Sequence, residues 1–419
     1  MHIVILTNKP NKVIYNWATN VEENALNQAK LLAEQPFTFR HIALMPDCHL
    51  GAVAPIGTVW STKGVVIPSA VGVDISCGMC AMKTSLKVSD LTEAKKEELL
   101  HSLERSIPVG FQHNDERRQA ELLQKYGDKI EYLFEKNKNV FNAQTQIFKD
   151  LKSDVVSQVG SLGGGNHFLE IQYDQDDNIW AMLHSGSRNI GLKICDTFDD
   201  IAGELNKKFY SQVDDKIHFL PTNSIEGKEY LIYMNFAVDF AFLNRQTMMR
   251  YVEKDISFAF KYMQVDFEPT INISHNFASL ENHFGEQVIV HRKGATLARK
   301  DTIGIIPGSC GTSSYITLGK GNPDSYNSSS HGSGRVCGRK DFNRKYNTPE
   351  KMKEIEDSLK GVVHTKFGKE HSFKKNKETG LLDVSEAPQA YKPIDEILAN
   401  QSDLVSVLTR LTPIINMKG

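Results

Sequence analysis

The sequence predicts an α+β protein, one large integrated domain in which mixed sheets and helices are interspersed along the whole chain. Two patterns carry this reading. Apolar runs of strand length and longer stretches of helical periodicity alternate from end to end. No internal repeat and no clean linker divides the 419 residues, although that length could also hold two or three ordinary domains. A composition of 40% hydrophobic and 24% charged residues is an ordinary globular mix with ample material for a core.

Charge narrows the partners. Lys+Arg 49 against Asp+Glu 51 leaves a net charge of −2, so a nucleic acid would be held by a local basic face and not by a global field. The 6 cysteines are scattered and irregularly spaced, which reads as reduced thiols with one or two metal ligands among them. No stretch approaches the roughly 18 apolar residues of a membrane span and no signal peptide is recognised, so the expectation is a cytoplasmic protein with no membrane partner.

In chain order, a short strand (His2–Leu6) precedes an amphipathic helix (about Glu22–Glu34) and a strand (His41–Met45) that runs into Asp47-Cys48-His49. Adjacent side chains diverge on an extended chain, so at most one or two of these three could reach a common ion. Asp47 and His49 are therefore candidates against the plainer reading of a turn. The apolar run Val65–Val71 then delivers Gly72-Val73-Asp74-Ile75-Ser76-Cys77-Gly78-Met79, a carboxylate and a thiol three residues apart in a glycine-bordered turn. Alone, that pair reads more often as a buried thiol beside a turn aspartate.

Residues 90–152 show helical periodicity with solvated charged faces. Four glycines, Gly160 and Gly163 to Gly165, precede Asn166-His167-Phe168-Leu169-Glu170, a loop whose backbone N–H groups could cradle a phosphate. It opens a strand (Phe168–Tyr173), and a second strand (Ile179–Leu183) ends in His184-Ser185-Gly186-Ser187-Arg188. Two strands thus carry a histidine at a glycine-bordered end. A long helix (about Lys228 to Met263), apolar on several sides, precedes a strand from Ile271 that ends in His275-Asn276.

A basic cluster follows at His291-Arg292-Lys293-Gly294 and Arg299-Lys300, which an RNA or triphosphate could use, although such spacing is more often just a solvated turn. The strand Ile303–Ile306 leads into the small-residue loop Pro307-Gly308-Ser309-Cys310 to Ser314. Gly319–Ser330, poor in apolar residues, reads as an exposed loop ending at His331 on a glycine turn with Arg335 beyond it. Residues 338–380 read as a charged surface segment, and Tyr391–Gly419 as a helix with a strand-like end.

Asp74, Cys77, His167, His184 and His275 supply oxygen, sulfur and nitrogen donors, too many for one tetrahedral structural zinc and suited to two adjacent metals. Softness favours zinc, while the carboxylate leaves room for manganese or iron. His331 beside Arg335 suits a nucleophile toward an α-phosphate, or else a sixth ligand or a surface histidine.

Met45-Pro46-Asp47-x-His49-x-Gly51, Gly72-Val73-Asp74-Ile75-x-Cys77-Gly78-Met79, Gly163–Glu170, His184-x-Gly186-Ser187-Arg188, Ser274-His275-Asn276, Arg292-Lys293-Gly294-Ala295-Thr296, Pro307-Gly308-Ser309, His331-Gly332-x-Gly334-Arg335 and Lys418-Gly419 stand in one order across essentially the whole chain. Together they resemble the RtcB family of GTP-dependent RNA ligases. The resemblance supports the α+β architecture more than periodicity does, and implies one domain built around a dinuclear metal centre. It implies two manganese ions, or zinc or another divalent ion, on Asp74, Cys77, His167, His184 and His275, with Cys77 shared. It implies His331 as the catalytic residue that takes GMP from GTP. The guanine nucleotide would be held by Asn166, His167, Phe168, Leu169, Glu170, His275, Asn276, Pro307, Gly308, Ser309, Cys310, Ser314, His331, Gly332, Ser333, Gly334 and Lys418.

The implied partners are GTP and RNA bearing 3′-phosphate or 2′,3′-cyclic phosphate ends and 5′-hydroxyl ends, with an activating protein left open. Repair or tRNA splicing is the implied role. Ser76, Cys310 and Ser333 replace the family's usual glycine, methionine and alanine, and 319–330 and 338–380 depart from its commonest pattern. The competing readings are a two-metal RNA-end phosphoesterase without ligation, and a nucleotide- and RNA-binding protein whose metals are structural.

Overall fold

A computed structural model of the chain describes residues 2–10, 12–110, 112–346, 348–365 and 384–419. The described residues build two large sheets. The first runs in the order Ile3–Leu6, Val13–Asn16, Thr38–His49, Ile56–Thr62, Glu286–Lys293, Asn276–His283. The second runs Ile271–Ser274, Gly78–Lys87, Asn178–Ser185, Phe168–Tyr173, Val405–Lys418, Ser314–Gly319, Ile303–Ile306. Most neighbours are antiparallel, with Val13–Asn16 parallel to Thr38–His49 and a short strand, Val363–His364, parallel to Val405–Lys418. The expectation of an α+β protein with mixed sheets holds.

Register does the positioning. The turn between Phe168–Tyr173 and Asn178–Ser185 is closed by the Asp174 carboxylate, which accepts N–H bonds from Asp176 and Asn178, and Asp177 takes the left-handed φ of 62° that the tight turn needs. That turn fixes Phe168 opposite His184. Met79 also lies opposite His184, and Ser274 opposite Gly78. A one-residue slip in any of these pairs would turn the donors to the other face.

The strand expected from Ile271 ends at Ser274 in the second sheet, and a further strand, Asn276–His283, belongs to the first. His275 is the single residue between them.

The long helix Ile225–Ala259 starts at the Ser224 cap, whose hydroxyl accepts from the Gly227 N–H. Tyr233, Phe236 and Phe240 pack into one apolar cluster, while Met248, Val252 and Ile256 pack into another beneath the second sheet. No helix among the described residues is long and apolar enough to cross a membrane.

Two expectations are corrected. Gly319–Ser330 is not an exposed loop: Ser325, Tyr326, Ser328 and Ser330 are fully buried, and Ser328–Ser330 pairs with Ala295–Leu297. Its polar atoms are satisfied inside, with Arg292 donating to Ser328 Oγ at 2.9 Å and Gln401 to Ser330 Oγ, so low hydrophobicity does not mean exposure here. In the charged segment, Arg339–Tyr346 and Pro349–Ser358 are helices that bury Phe342 and Ile355. Residues 366–380 of that segment lie outside the described residues.

Candidate metal and nucleotide site

Four donor-bearing segments converge where the two sheets meet. From Asp74 Oδ2 it is 2.9 Å to His167 Nε2, which lies 3.4 Å from Cys77 Sγ. Cys77 Sγ is 3.1 Å from His184 Nε2, which is 3.3 Å from His275 Nε2. Cys77, His167 and His184 offer ligand atoms all within 4.8 Å of one another, a group able to hold a metal ion. Asp74 and His275 extend it at either end.

The donor chemistry fits a cation. His167 Nδ1 faces the Leu162 carbonyl at 2.9 Å and its Nε2 faces the Asp74 carboxylate, two acceptors that a neutral ring with one N–H cannot both satisfy. His184 Nδ1 faces the Asn166 carbonyl at 3.1 Å, which directs its Nε2 lone pair into the cluster. Burial and the neighbouring histidines hold His184 and His275 well below the usual histidine range, so both stay neutral donors. Burial alone would raise Asp74, and the hydrogen bond and charge of His167 together with Cys77 and His184 outweigh this to leave the carboxyl at about 2. Burial, then Asp74, pushes the Cys77 thiol well above the ordinary cysteine range, and a thiolate here needs a cation beside it.

Beside this cluster lies a cleft of about 710 Å³. His331 lines it with its ring centroid 4.8 Å from that of His275. Asp47, fully buried within the strand Thr38–His49, lies behind it: Asp47 Oδ2 is 2.6 Å from His331 Nδ1 and accepts from the backbone N–H of His331 at 3.0 Å and of Gly332 at 3.3 Å. Gly334 takes φ +68° with its Cα against the Asp47 carbonyl, which leaves no room for a side chain.

Asp74, Cys77, Asn166, Phe168, His184, His275, Asn276, Pro307 to Cys310, His331 to Gly334 and Lys418 all line the cleft. His167, Leu169, Glu170 and Ser314 do not. Leu169 is core, and Glu170 sits behind the wall with Asn416 Nδ2 at 2.6 Å from Oε1 and Gln172 Nε2 at 2.5 Å from Oε2. Ser314 Oγ accepts from the Gly308 N–H at 3.2 Å and so shapes the loop Pro307–Cys310 from outside. Cys310 is a neutral thiol, pushed up to about 12 by burial. Asn276 links the two sides, its Nδ2 donating to the Asp74 carbonyl at 3.1 Å and its Oδ1 accepting from Gly294 N–H at 2.8 Å.

One residue escaped the sequence reading and another was left undecided. Asp47 was a candidate against the plainer reading of a turn, and its pairing with a histidine 284 positions away decides for the site. Glu386 is a hub with no motif to mark it: Arg335 Nη1 at 3.2 Å, Arg339 Nε at 3.0 Å, Lys418 Nζ at 3.2 Å and the Tyr391 hydroxyl all meet its carboxylate.

The family model described as tRNA-splicing ligase RtcB matches residues 28–419. An RNA-splicing ligase RtcB1 of Escherichia coli and an RNA-splicing ligase RtcB of its strain K12 are each 36% identical over 100% of both chains. A tRNA-splicing ligase RtcB of Methanococcus maripaludis is 29% identical over 96% of this chain and 92% of its own. With its motifs brought to one cleft and its full length matched, the chain belongs to the RtcB family.

Proposed function

We propose that the chain is an RNA ligase that joins RNA 3′-phosphate or 2′,3′-cyclic phosphate ends to 5′-hydroxyl ends. GTP supplies the energy, GMP is carried on His331, and Asp74, Cys77, His167, His184 and His275 hold two manganese ions. The observation that carries this reading is His331, backed by Asp47, lining one cleft with Asp74, Cys77, His184 and His275, with 4.8 Å between the His331 and His275 ring centroids.

Divalent cations held by these donors would neutralise charge on the triphosphate. Asp47, an acceptor beside Nδ1, keeps the ring proton on that nitrogen and leaves the Nε2 lone pair free. Nε2 attacks the α-phosphorus; an N–P bond forms, the bond to the bridging oxygen breaks, and pyrophosphate leaves with the electron pair. The positive charge this places on the imidazole is offset by Asp47. A cyclic phosphate end is opened by water to a 3′-phosphate, whose oxygen then takes GMP and returns His331 to the neutral ring. The 5′-hydroxyl attacks the activated 3′-phosphorus and GMP departs. Arg335, nine-tenths buried in the cleft wall with Nη1 on Glu386 and Nε on the Cys337 carbonyl, has its Nη2 to offer to phosphate charge.

The test is incubation of metal-stripped protein with α-labelled GTP and manganese, followed by a denaturing gel and mass analysis. A covalent GMP adduct is expected in the parent chain and absent in His331→Ala or without manganese. A folded, manganese-loaded parent that forms no adduct would overturn the reading and favour an RNA-end phosphoesterase.

A further inference from the structure

We propose that Asn244 and Arg245, successive residues on the long helix, are the positioning residues that set the spacing of the metal donors by tying down the segment beside each of them. Both side chains are fully buried. The Arg245 guanidinium donates through Nη1 to the Ser76 carbonyl at 2.7 Å and the Ser185 carbonyl at 3.1 Å. Its Nε donates to Asn272 Oδ1 at 2.8 Å and its Nη2 to Ser274 Oγ at 3.3 Å. Ser76, Ser185 and Ser274 are the immediate chain neighbours of Cys77, His184 and His275.

Asn244 covers the remaining segment. Its Oδ1 accepts from the N–H groups of Gly160 and Ser161 at 2.7 and 3.2 Å, and its Nδ2 donates to the Ser161 and Gly186 carbonyls, both at 3.1 Å. The next residue in that loop, Leu162, presents the carbonyl that faces His167 Nδ1. Two adjacent side chains on one rigid helix thus reach the flanks of four donors that arrive from separate parts of the chain.

A plain packing role would be met better by apolar side chains, because burying a guanidinium is costly. Three of the four guanidinium hydrogen bonds fall on immediate neighbours of Cys77, His184 and His275, the fourth on Asn272, and a planar fork spans several acceptors at fixed angles where an ammonium cannot. Outer groups of this kind govern metal affinity and geometry as strongly as many ligands do.

This inference rests on the proposal that the five donors hold metal, and cobalt(II) separates the two. Metal-stripped parent chain is titrated with cobalt, reading stoichiometry, affinity, the d–d bands and the thiolate-to-cobalt charge-transfer band. Arg245→Lys and Asn272→Ala are read alongside, each with a thermal melt in chelator. Two equivalents in the parent, with affinity weakened roughly 10- to 100-fold and bands shifted in Arg245→Lys at an unchanged cooperative melt, is the expected result. A smaller shift in the same direction is expected for Asn272→Ala, a half-buried residue whose loss frees the guanidinium Nε and, away from the donors, the Phe242 carbonyl. Parental affinity and spectrum in both variants would overturn the positioning role. If Arg245→Lys does not fold, an unchanged Asn272→Ala overturns it alone. A parent chain that shows no cobalt bands would overturn the metal reading itself, and this inference with it.

Discussion

Asp47 and Glu170 are both buried carboxylates near the cleft, and their surroundings give them opposite consequences. Asp47 accepts two backbone N–H bonds and stands 2.6 Å from His331 Nδ1. Asp47→Asn keeps the shape and removes the charge that offsets the imidazole, so GMP attachment is expected to slow on the order of 100-fold with little change in melting temperature. Burial raises the Glu170 carboxyl from the ordinary range near 4.5 to about 7, with Asn416, Gln172 and Lys418 opposing it. The folded chain therefore holds this proton more tightly than the unfolded one does. Its contribution is full below about pH 4.5 and is lost as pH rises through about 7, on the order of 3 kcal/mol at most. Urea unfolding across pH 5 to 8 checks this, and Glu170→Gln is expected to flatten the slope.

At the scale of elements, the glycine loop before Phe168–Tyr173 is held by steric limits that the sequence shows only as composition. Gly163 has φ +100°, and a Cβ there would collide with the Arg188 guanidinium and His167 Nδ1, whereas one on Gly164 would meet only Gly110 Cα at 3.6 Å. Gly163→Ala is expected to cost roughly 1–3 kcal/mol in chemical denaturation and to weaken manganese binding, with Gly164→Ala close to the parent. Elements with strong periodicity were readable in advance, among them the long helix, Phe168–Tyr173 and the end of the chain. Ser328–Ser330 was not, because its burial rests on hydrogen bonds from Arg292 and Gln401, which come from remote parts of the chain. The strand end near His275 was legible, but the change of sheet into Asn276–His283 was hidden, since which sheet a strand joins leaves no mark in its hydrophobic pattern. The candidate donors were legible because His167 and His184 sit at glycine-bordered strand ends, Asp74 and Cys77 share a glycine-bordered turn, and His275 ends a strand; Asp47, Glu386 and Arg245 act through partners that only the fold brings near.

Across the whole molecule, the donors join segments that the apolar clusters already hold together, so metal should add to stability without creating it. Manganese at about 100 times its dissociation constant is expected to add about 2.7 kcal/mol per site, seen as a higher melting temperature that chelator reverses while the transition stays cooperative. Outright unfolding by chelator would instead mark the metals as structural. The crossing at His275 bears on how the protein is made. A nascent chain that has emerged as far as the long helix carries Cys77, His167 and His184, yet Ile56–Thr62 still lacks Glu286–Lys293 and Phe168–Tyr173 still lacks Val405–Lys418. Both sheets keep an open edge until late in synthesis, and a prematurely terminated product has four of the five candidate donors and two strands each unpaired along one edge, a state suited to aggregation or proteolysis.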